Sequence, residues 1–359
     1  MRTCVLGVVL SLLSPLAMTG AALETEIVPG DFDGARQPQV AIGEDDSINV
    51  VFGRGEDIFV SVSEDRGTSY RAPVKVGNLR GLPLGMRRGP RIAAHKQSVV
   101  VTAQAQDLFA FRSGDAGRTW SEPIRINTVE RSARECLHAL ASGPDGRVLA
   151  TWLDLRSGQM ELYAAASRDQ GATWEKDFLV YRSPDEHICE CCHPSVAFNA
   201  DGDIAVMWRN WLAGSRDMWS AALAHDQRTP AIFRKQGRGT WKLNGCPMDG
   251  GAIFPLADGS FGSVWRREKT VYLSLTLDDE QRIGEGAQPF AVVARGVVHV
   301  FWQDGDNLLH TTNQPGDEPA VVAEKAKFGA AAVSPSGQIA VVFERTSRAR
   351  DSIFALIIP

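Results

Sequence analysis

The sequence repeats one short unit seven times, and this repetition limits the chain to a small set of folds. Each unit is an apolar strand, a turn and a second apolar strand, which ends in an aromatic residue in most copies. Paired short strands of this kind indicate the inner half of a small antiparallel sheet, and their recurrence around a ring is typical of a β-propeller. The first strands of the seven units open at Pro38, Pro90, Leu137, Pro194, Pro247, Pro289 and Gly329.

A second motif, S-x-D-x-G-x-T-W, follows the third strand of the first three units. Its copies are Ser63–Tyr70, Ser113–Trp120 and Ser167–Trp174, and the first copy ends in Ser-Tyr. The aspartate can accept hydrogen bonds from turn amides, the glycine supports a positive φ, and the aromatic ring packs back on the hairpin. The motif resembles the Asp-box, or BNR repeat, of the sialidase-like β-propeller family. The resemblance covers nearly the whole chain after residue 22 and implies a structural role for these hairpins.

We therefore predict an all-β chain that forms a β-propeller of seven four-stranded blades. The last unit has only three strands and ends in Ile353–Ile358, while Glu24–Val28 offers one spare strand. Pairing these two segments would complete the last blade and remove an exposed strand edge. The sialidases that the chain resembles have six blades, so a six-bladed ring in which two later units merge is the alternative.

Residues 1–22 are predicted to be a secretory signal peptide. Arg2 supplies the positive charge, the apolar run that follows is too short to span a bilayer, and small residues precede Leu23. We expect a single propeller domain over residues 23–359, periplasmic or secreted, without a transmembrane segment. The formal net charge of -5 argues against nucleic acid as the main partner, whereas an envelope protein is a candidate.

The most unusual segment is Ile188–Ser195, which holds three cysteines and a histidine within five positions. The chain has six cysteines, and Cys4 would leave with the signal peptide. The five that remain are an odd number, so they cannot all pair within one chain. At least one is therefore free, bound to a ligand, or paired with another molecule.

Three interpretations of this segment are open. Cys189, Cys192 and His193 spell C-x-x-C-H, the haem c attachment pattern, and Met248 would complete an axial pair with His193. Thiolate, imidazole and thioether groups together suit a soft metal, with copper favoured over zinc. In an oxidising compartment the same cysteines can form disulfides alone.

Aligning the units on the residue that opens each first strand brings more ligand-type residues to one face. The flanking positions hold Cys136 and His138 in the third unit, His193 in the fourth, and Cys246 and Met248 in the fifth. Because alternate residues of a strand share a side, we expect these groups to converge at one mouth of the propeller. The predicted metal-site residues are Cys136, His138, Cys189, Cys191, Cys192, His193, Cys246 and Met248.

The resemblance to sialidases also implies a hydrolytic chemistry. The family uses arginines that hold the substrate carboxylate, a tyrosine nucleophile paired with a glutamate, and an aspartate acid/base. Arginines are abundant on the predicted mouth, where they could clamp an anion: Arg54, Arg91, Arg209, Arg266, Arg267 and Arg345. None of the four tyrosines opens an inner strand: Tyr70, Tyr163, Tyr181 and Tyr272 lie in a hairpin or in outer strands.

Whether the chain is an enzyme therefore stays open, with Arg91, Asp154 and Asp304 as weak catalytic candidates. The sequence predicts an exported, sialidase-like propeller without a complete sialidase site. At its mouth we expect a soft metal, covalent haem c or a small anionic ligand. The alternatives are an exo-sialidase or other glycan hydrolase that uses the arginine-rich mouth, and an interaction scaffold stapled by disulfides without a cofactor.

Overall fold

The strands of this protein form seven separate four-stranded antiparallel sheets. The computed structural model describes residues 22–30, 32–185, 187–223, 232–276, 279–346 and 350–359. Within these ranges the chain is all-β and contains no helix. The prediction of seven blades is confirmed, and the six-bladed alternative is wrong.

Each blade is a meander in which four consecutive strands pair in order, except the last. Blades 1 and 2 consist of β2 (Arg36–Ile42), β3 (Ile48–Arg54), β4 (Asp57–Ser63), β5 (Val74–Asn78), β6 (Arg91–His95), β7 (Ser98–Ala105), β8 (Asp107–Ser113) and β9 (Ile124–Arg125). Blades 3 and 4 consist of β10 (His138–Ser142), β11 (Val148–Asp154), β12 (Glu161–Ser167), β13 (Phe178–Tyr181), β14 (Ser195–Phe198), β15 (Ile204–Arg209), β16 (Met218–Leu223) and β17 (Ile232–Lys235). Blades 5 and 6 consist of β18 (Ala252–Pro255), β19 (Phe261–Arg267), β20 (Thr270–Ser274), β21 (Gln281–Glu285), β22 (Ala287–Ala294), β23 (Val297–Asp304), β24 (Asn307–Thr312) and β25 (Ala320–Ala323).

Blade 7 is completed by the first strand of the described chain. It contains β26 (Ala326–Val333), β27 (Ile339–Thr346) and β28 (Asp351–Ile358), and β1 (Leu23–Glu26) forms its outer edge. In the antiparallel pairing of β1 with β28, Leu23 lies opposite Ile357 and Glu26 opposite Phe354. The predicted closure is confirmed, and it joins the two ends of the chain within one sheet.

The core lies in the seams between neighbouring blades. At the seam between blades 2 and 3, Trp152 packs with Leu108, Ala110 and Ile126, and its side chain is fully buried. At the seam after blade 3, the Tyr181 and Trp208 ring centroids are 4.7 Å apart. At these two seams, aromatic residues near the ends of the second strands thus contribute large apolar contacts between blades.

The three Asp-box hairpins join the third and fourth strands of blades 1, 2 and 3. In the second hairpin, Asp115 accepts hydrogen bonds from Thr119 N at 2.9 Å and from Thr119 Oγ1 at 2.7 Å. Gly117 has a φ of 77°, and the other two copies repeat this arrangement. The motif therefore forms a self-contained turn, as its composition predicts.

Residues 1–21, which include most of the predicted signal peptide, lie outside the described residues, so that prediction stays untested. No helix in the described ranges is long and apolar enough to cross a membrane.

The closure of the ring can be tested by placing proline at two neighbouring positions of β1. Ile27 N donates to Ile353 O at 2.9 Å, so strand alternation also directs the Thr25 N–H toward β28 and the Glu24 N–H away from it. Thr25→Pro removes a ladder hydrogen bond and should lower the free energy of unfolding by about 1–3 kcal/mol in urea titrations. Glu24→Pro is the control, measured beside Glu24→Ala because Glu24 also pairs with Arg345, and an equal loss in both proline variants after that correction would contradict this pairing.

Candidate functional site

Two loops on either side of blade 4 carry the cysteines of the candidate site. The loop between β13 and β14 holds Cys189, Cys191 and Cys192, and Cys189 N donates to Arg209 O at 2.9 Å. The loop between β17 and β18 holds Cys246. Backbone pairing to the end of β15 thus fixes the first loop against the blade that separates the two.

The four cysteine sulfurs of these loops meet in one place, which we call the sulfur cluster (Cys189, Cys191, Cys192 and Cys246). Cys191 and Cys246 form a disulfide, with their Cα atoms 6.2 Å apart. The Sγ of Cys189 lies 3.6 Å from that of Cys191 and 3.4 Å from that of Cys192, and the last two are 3.9 Å apart. Met248 packs against the cluster. Four of the predicted site cysteines are therefore brought together.

Two arginines place positive charge beside the sulfur cluster. Arg216 Nη1 donates to Cys189 Sγ at 3.1 Å, and the buried Arg209 donates to three backbone carbonyls nearby. The hydrogen bond from Cys192, together with these two charges, lowers the pKa of Cys189 to about 6 against the effect of burial. Burial raises the pKa of Cys192 well above its usual value. Of the two thiols, Cys189 therefore loses its proton more readily than Cys192.

Three of the predicted site residues, Cys136, His138 and His193, lie outside the sulfur cluster. Cys136 is buried, and its Sγ lies 3.4 Å from Arg134 O. His138 is fully buried, and its Nε2 lies 3.0 Å from Thr102 Oγ1. In blade 3 the residue equivalent to Arg91 is Ala139, because Ala139 pairs with Thr151 as Arg91 pairs with Thr102.

One extra residue in blade 3 explains the misplacement of His138. The left-handed residue that precedes the first strand is Gly89 in blade 2, two positions before Arg91. In blade 3 it is Cys136, three positions before Ala139. A shift of one residue turns a strand side chain to the opposite face, so His138 enters the seam instead of the mouth.

His193 directly follows Cys192 in sequence and lines a cavity on the propeller axis. This axial cavity has a volume of ≈ 230 Å³, and the inner strands of all seven blades form its wall. Burial and the charges of Arg87, Arg91 and Arg209 hold the pKa of His193 well below its usual value. The imidazole is therefore neutral, and Cys189 and Cys192 do not line the same cavity.

The weak catalytic candidates do not share one pocket. Of the six predicted mouth arginines, only Arg91 lines the axial cavity. Asp154 is buried and accepts hydrogen bonds from Ser132, Trp152 and Arg156. Burial opposes these bonds, but together they lower its pKa. Asp304 is exposed, beside a separate shallow groove. No Asp, Glu or Tyr is among the described residues that line the axial cavity.

Sequence reasoning missed three residues that shape this region: Arg87, Arg216 and Asp249. Asp249 is fully buried, accepts a hydrogen bond from Gln288 N at 2.8 Å, and pairs with Arg266 at 2.8 Å. Arg87 follows a glycine-containing turn and Arg216 lies in the loop after β15, so neither occupies a repeated position of the blades. Asp249 directly follows Met248 and lies three positions after Cys246. Its proximity to these two predicted site residues is the only sequence signal we find for it.

No protein-family model matches the sequence, and no curated protein matches it. Solved structures similar to this chain include an alpha-L-arabinanase of Penicillium chrysogenum, at 12% identity and a TM-score of 0.55, covering 94% of this chain and 98% of that one. YCF48 from Cyanidioschyzon merolae gives the same identity, TM-score and coverage. A Trypanosoma rangeli sialidase matches at 9% identity and a TM-score of 0.52, over 94% of this chain and 58% of the sialidase. These similarities show a β-propeller that is sialidase-like in fold alone.

The thiol inventory is open to a direct test. Among cysteines after residue 22, denaturation in acid with N-ethylmaleimide should label Cys136, Cys189 and Cys192, which are free in the structure. A non-reducing digest should yield one linked peptide pair that joins Cys191 to Cys246. Reduction before labelling is the control and should expose all five. A single labelled thiol would instead indicate two disulfides, as the scaffold interpretation expects.

Sialidase activity is not expected, because no Asp, Glu or Tyr is among the described residues that line the cavity of Arg91. A fluorogenic sialoside should show no release of its fluorophore above the blank, measured beside an active sialidase as positive control. Turnover that disappears in Arg91→Ala would contradict this expectation and support the hydrolase alternative.

Proposed function

We propose that this propeller binds one soft metal ion, with copper favoured, through the sulfur cluster. The observation that carries the proposal is the mutual approach of three buried sulfurs, those of Cys189, Cys191 and Cys192, to within 4.8 Å of one another. The fourth sulfur, of Cys246, is bonded to Cys191 and joins the same group when that disulfide is reduced. The thioether of Met248 lies at the edge of the group.

The sulfur spacing suits a metal at the centre of the group. A tetrahedral thiolate site with metal–sulfur bonds of about 2.3 Å has sulfur–sulfur edges of about 3.8 Å. The three distances of 3.4, 3.6 and 3.9 Å, found while Cys191 is still bonded to Cys246, lie close to that value. The cysteines are also held by strands and by backbone hydrogen bonds, which is how a rigid metal site is built.

The surrounding charge suits bound thiolates. Several thiolates around one monovalent ion carry net negative charge, which is costly to bury unless positive groups lie nearby. Arg209 and Arg216 supply such groups, and neither forms an ion pair with a carboxylate of the described residues. Cysteine thiolates and a methionine thioether favour copper(I), whereas zinc more often uses well-separated cysteine pairs.

Metal binding and the Cys191–Cys246 disulfide exclude each other in this proposal. The disulfide must gain two electrons and two protons from a thiol reductant before both sulfurs can act as ligands. The oxidised chain therefore corresponds to a stapled form and the reduced chain to a metal-binding form. Covalent haem remains a prediction that a spectrum can test, but the imidazole of His193 and the thiols of Cys189 and Cys192 face different spaces.

The test is an anaerobic titration of the reduced protein with copper(I) against a chromophoric competitor. We expect one ion per chain, and none for protein in which Cys191 and Cys246 remain oxidised. Cys192→Ser should weaken binding by about 100-fold or more, since even changes outside the ligands cost about 10–100-fold in metal affinity. A parallel zinc titration identifies the preferred metal.

Cys136→Ser is the matched control, because Cys136 is a buried free cysteine outside the sulfur cluster. It should leave copper affinity unchanged, and thermal melts of both variants check that the propeller stays folded. Equal losses in the two variants, or no stoichiometric metal on the reduced wild type, would contradict the proposal. A Soret band that survives denaturation would support covalent haem instead.

A further inference from the structure

Two arginines occupy the axial cavity, at some distance in sequence from the cysteines. Arg87 lies in the segment before β6, and Arg91 is the first residue of β6. Both line the cavity, and they are only 6% and 7% exposed. Burying a guanidinium group is costly unless an anion compensates its charge. The burial of these two guanidinium groups therefore needs an explanation, and the sulfur cluster does not provide one.

Arg87 extends across the mouth from the segment before blade 2 to the opposite side of the ring. Its Nε donates to Gln288 Oε1 at 2.7 Å, and its Nη1 donates to Gly329 O at 2.7 Å. Gln288 and Gly329 belong to the first strands of blades 6 and 7. Arg91 donates to Pro90 O at 3.0 Å and to the carbonyl of Arg87. Neutral carbonyls thus orient both guanidinium groups without cancelling their charge.

The buried carboxylates nearby are engaged elsewhere. Glu344 accepts a hydrogen bond from Gln37 N at 3.0 Å, and burial raises the pKa of this carboxyl. Asp249 accepts from Gln288 N and pairs with Arg266. Within the described ranges, neither Arg87 nor Arg91 forms an ion pair. Burial lowers the pKa of Arg87 to about 10, although the charges of Asp249 and Glu344 act against this effect, and burial together with the charge of Arg87 lowers that of Arg91 to about 9.

We propose that the axial cavity is a binding site for a small oxyanion, held between Arg87 and Arg91. A guanidinium group presents donors that match the oxygens of a phosphate, a sulfate or a carboxylate. His193 adds a buried Nδ1 atom that has no hydrogen-bond partner among the described residues. With ≈ 230 Å³ enclosed by seven inner strands, the cavity accepts a small anion. This site is separate from the sulfur cluster, so it can be present whether or not the metal proposal holds.

Calorimetric titration of the metal-free, oxidised protein tests this site. Phosphate, sulfate and succinate are titrated separately, with ionic strength held constant by sodium chloride. We expect saturable binding of at least one anion at one site per chain, and the three arms separate tetrahedral anions from carboxylates. Arg91→Gln should weaken binding by about tenfold to 100-fold, the effect of losing one charge-assisted contact.

Arg88→Gln is the matched control, since Arg88 is adjacent in sequence but pairs with Glu135 and does not line the cavity. Its anion affinity should equal that of the wild type. A second variant, Ala139→Asp, keeps both arginines and places a carboxylate in the cavity wall, so it should abolish binding of the added anion and raise the melting temperature at low salt. The proposal is overturned if the wild type binds none of the three anions. It is equally overturned if Arg91→Gln, or Ala139→Asp, binds as the wild type does.

Discussion

The antiparallel pairing of β1 with β28 is the contact on which the rest of the structure depends. Seven blades form a ring only if the first and last blades are fixed to each other, and here one sheet contains strands from both ends of the chain. At the seam between blades 1 and 7, Val40 of β2 packs in the same cluster as Ala330 of β26. The mouth loops connect strands of this closed ring, so the ring determines where they lie.

The loops on either side of blade 4 build the sulfur cluster on this otherwise regular ring. The loop before blade 4 carries three of the cysteines, and the loop after it carries Cys246. The loop after β15 places Arg216 beside the same sulfurs. None of these groups is close to all the others in sequence, since Cys191 and Cys246 are 55 residues apart. A single blade acts as the spacer that sets their separation. The site is therefore as rigid as the seams on both sides of blade 4.

The distribution of charge at the mouth depends on residues near the starts of the first strands. In blades 1 and 6 the second residue of the first strand, Gln37 or Gln288, is left-handed, and its N–H donates to a buried carboxylate. Those carboxylates, Glu344 and Asp249, form no direct ion pair with the axial arginines within the described ranges, although their charges reach Arg87. The architecture thus leaves positive charge in two places, beside the sulfur cluster and in the axial cavity. Both proposals rest on this imbalance, but on different arginines.

The sequence by itself determined the fold to the level of single strands. Seven inner-strand pairs, the Asp-box turns and one spare strand at each end specified the ring and its closure, because hydrophobic alternation and turn chemistry are local properties. It also indicated that Cys189, Cys191, Cys192 and Cys246 would meet. Only the tertiary structure decided that Cys136 and His138 lie apart from them, since one inserted residue before Ala139 reverses the face of a side chain. The same holds for Arg87, whose partners Gln288 and Gly329 are more than 200 residues away, at a separation that no local pattern encodes.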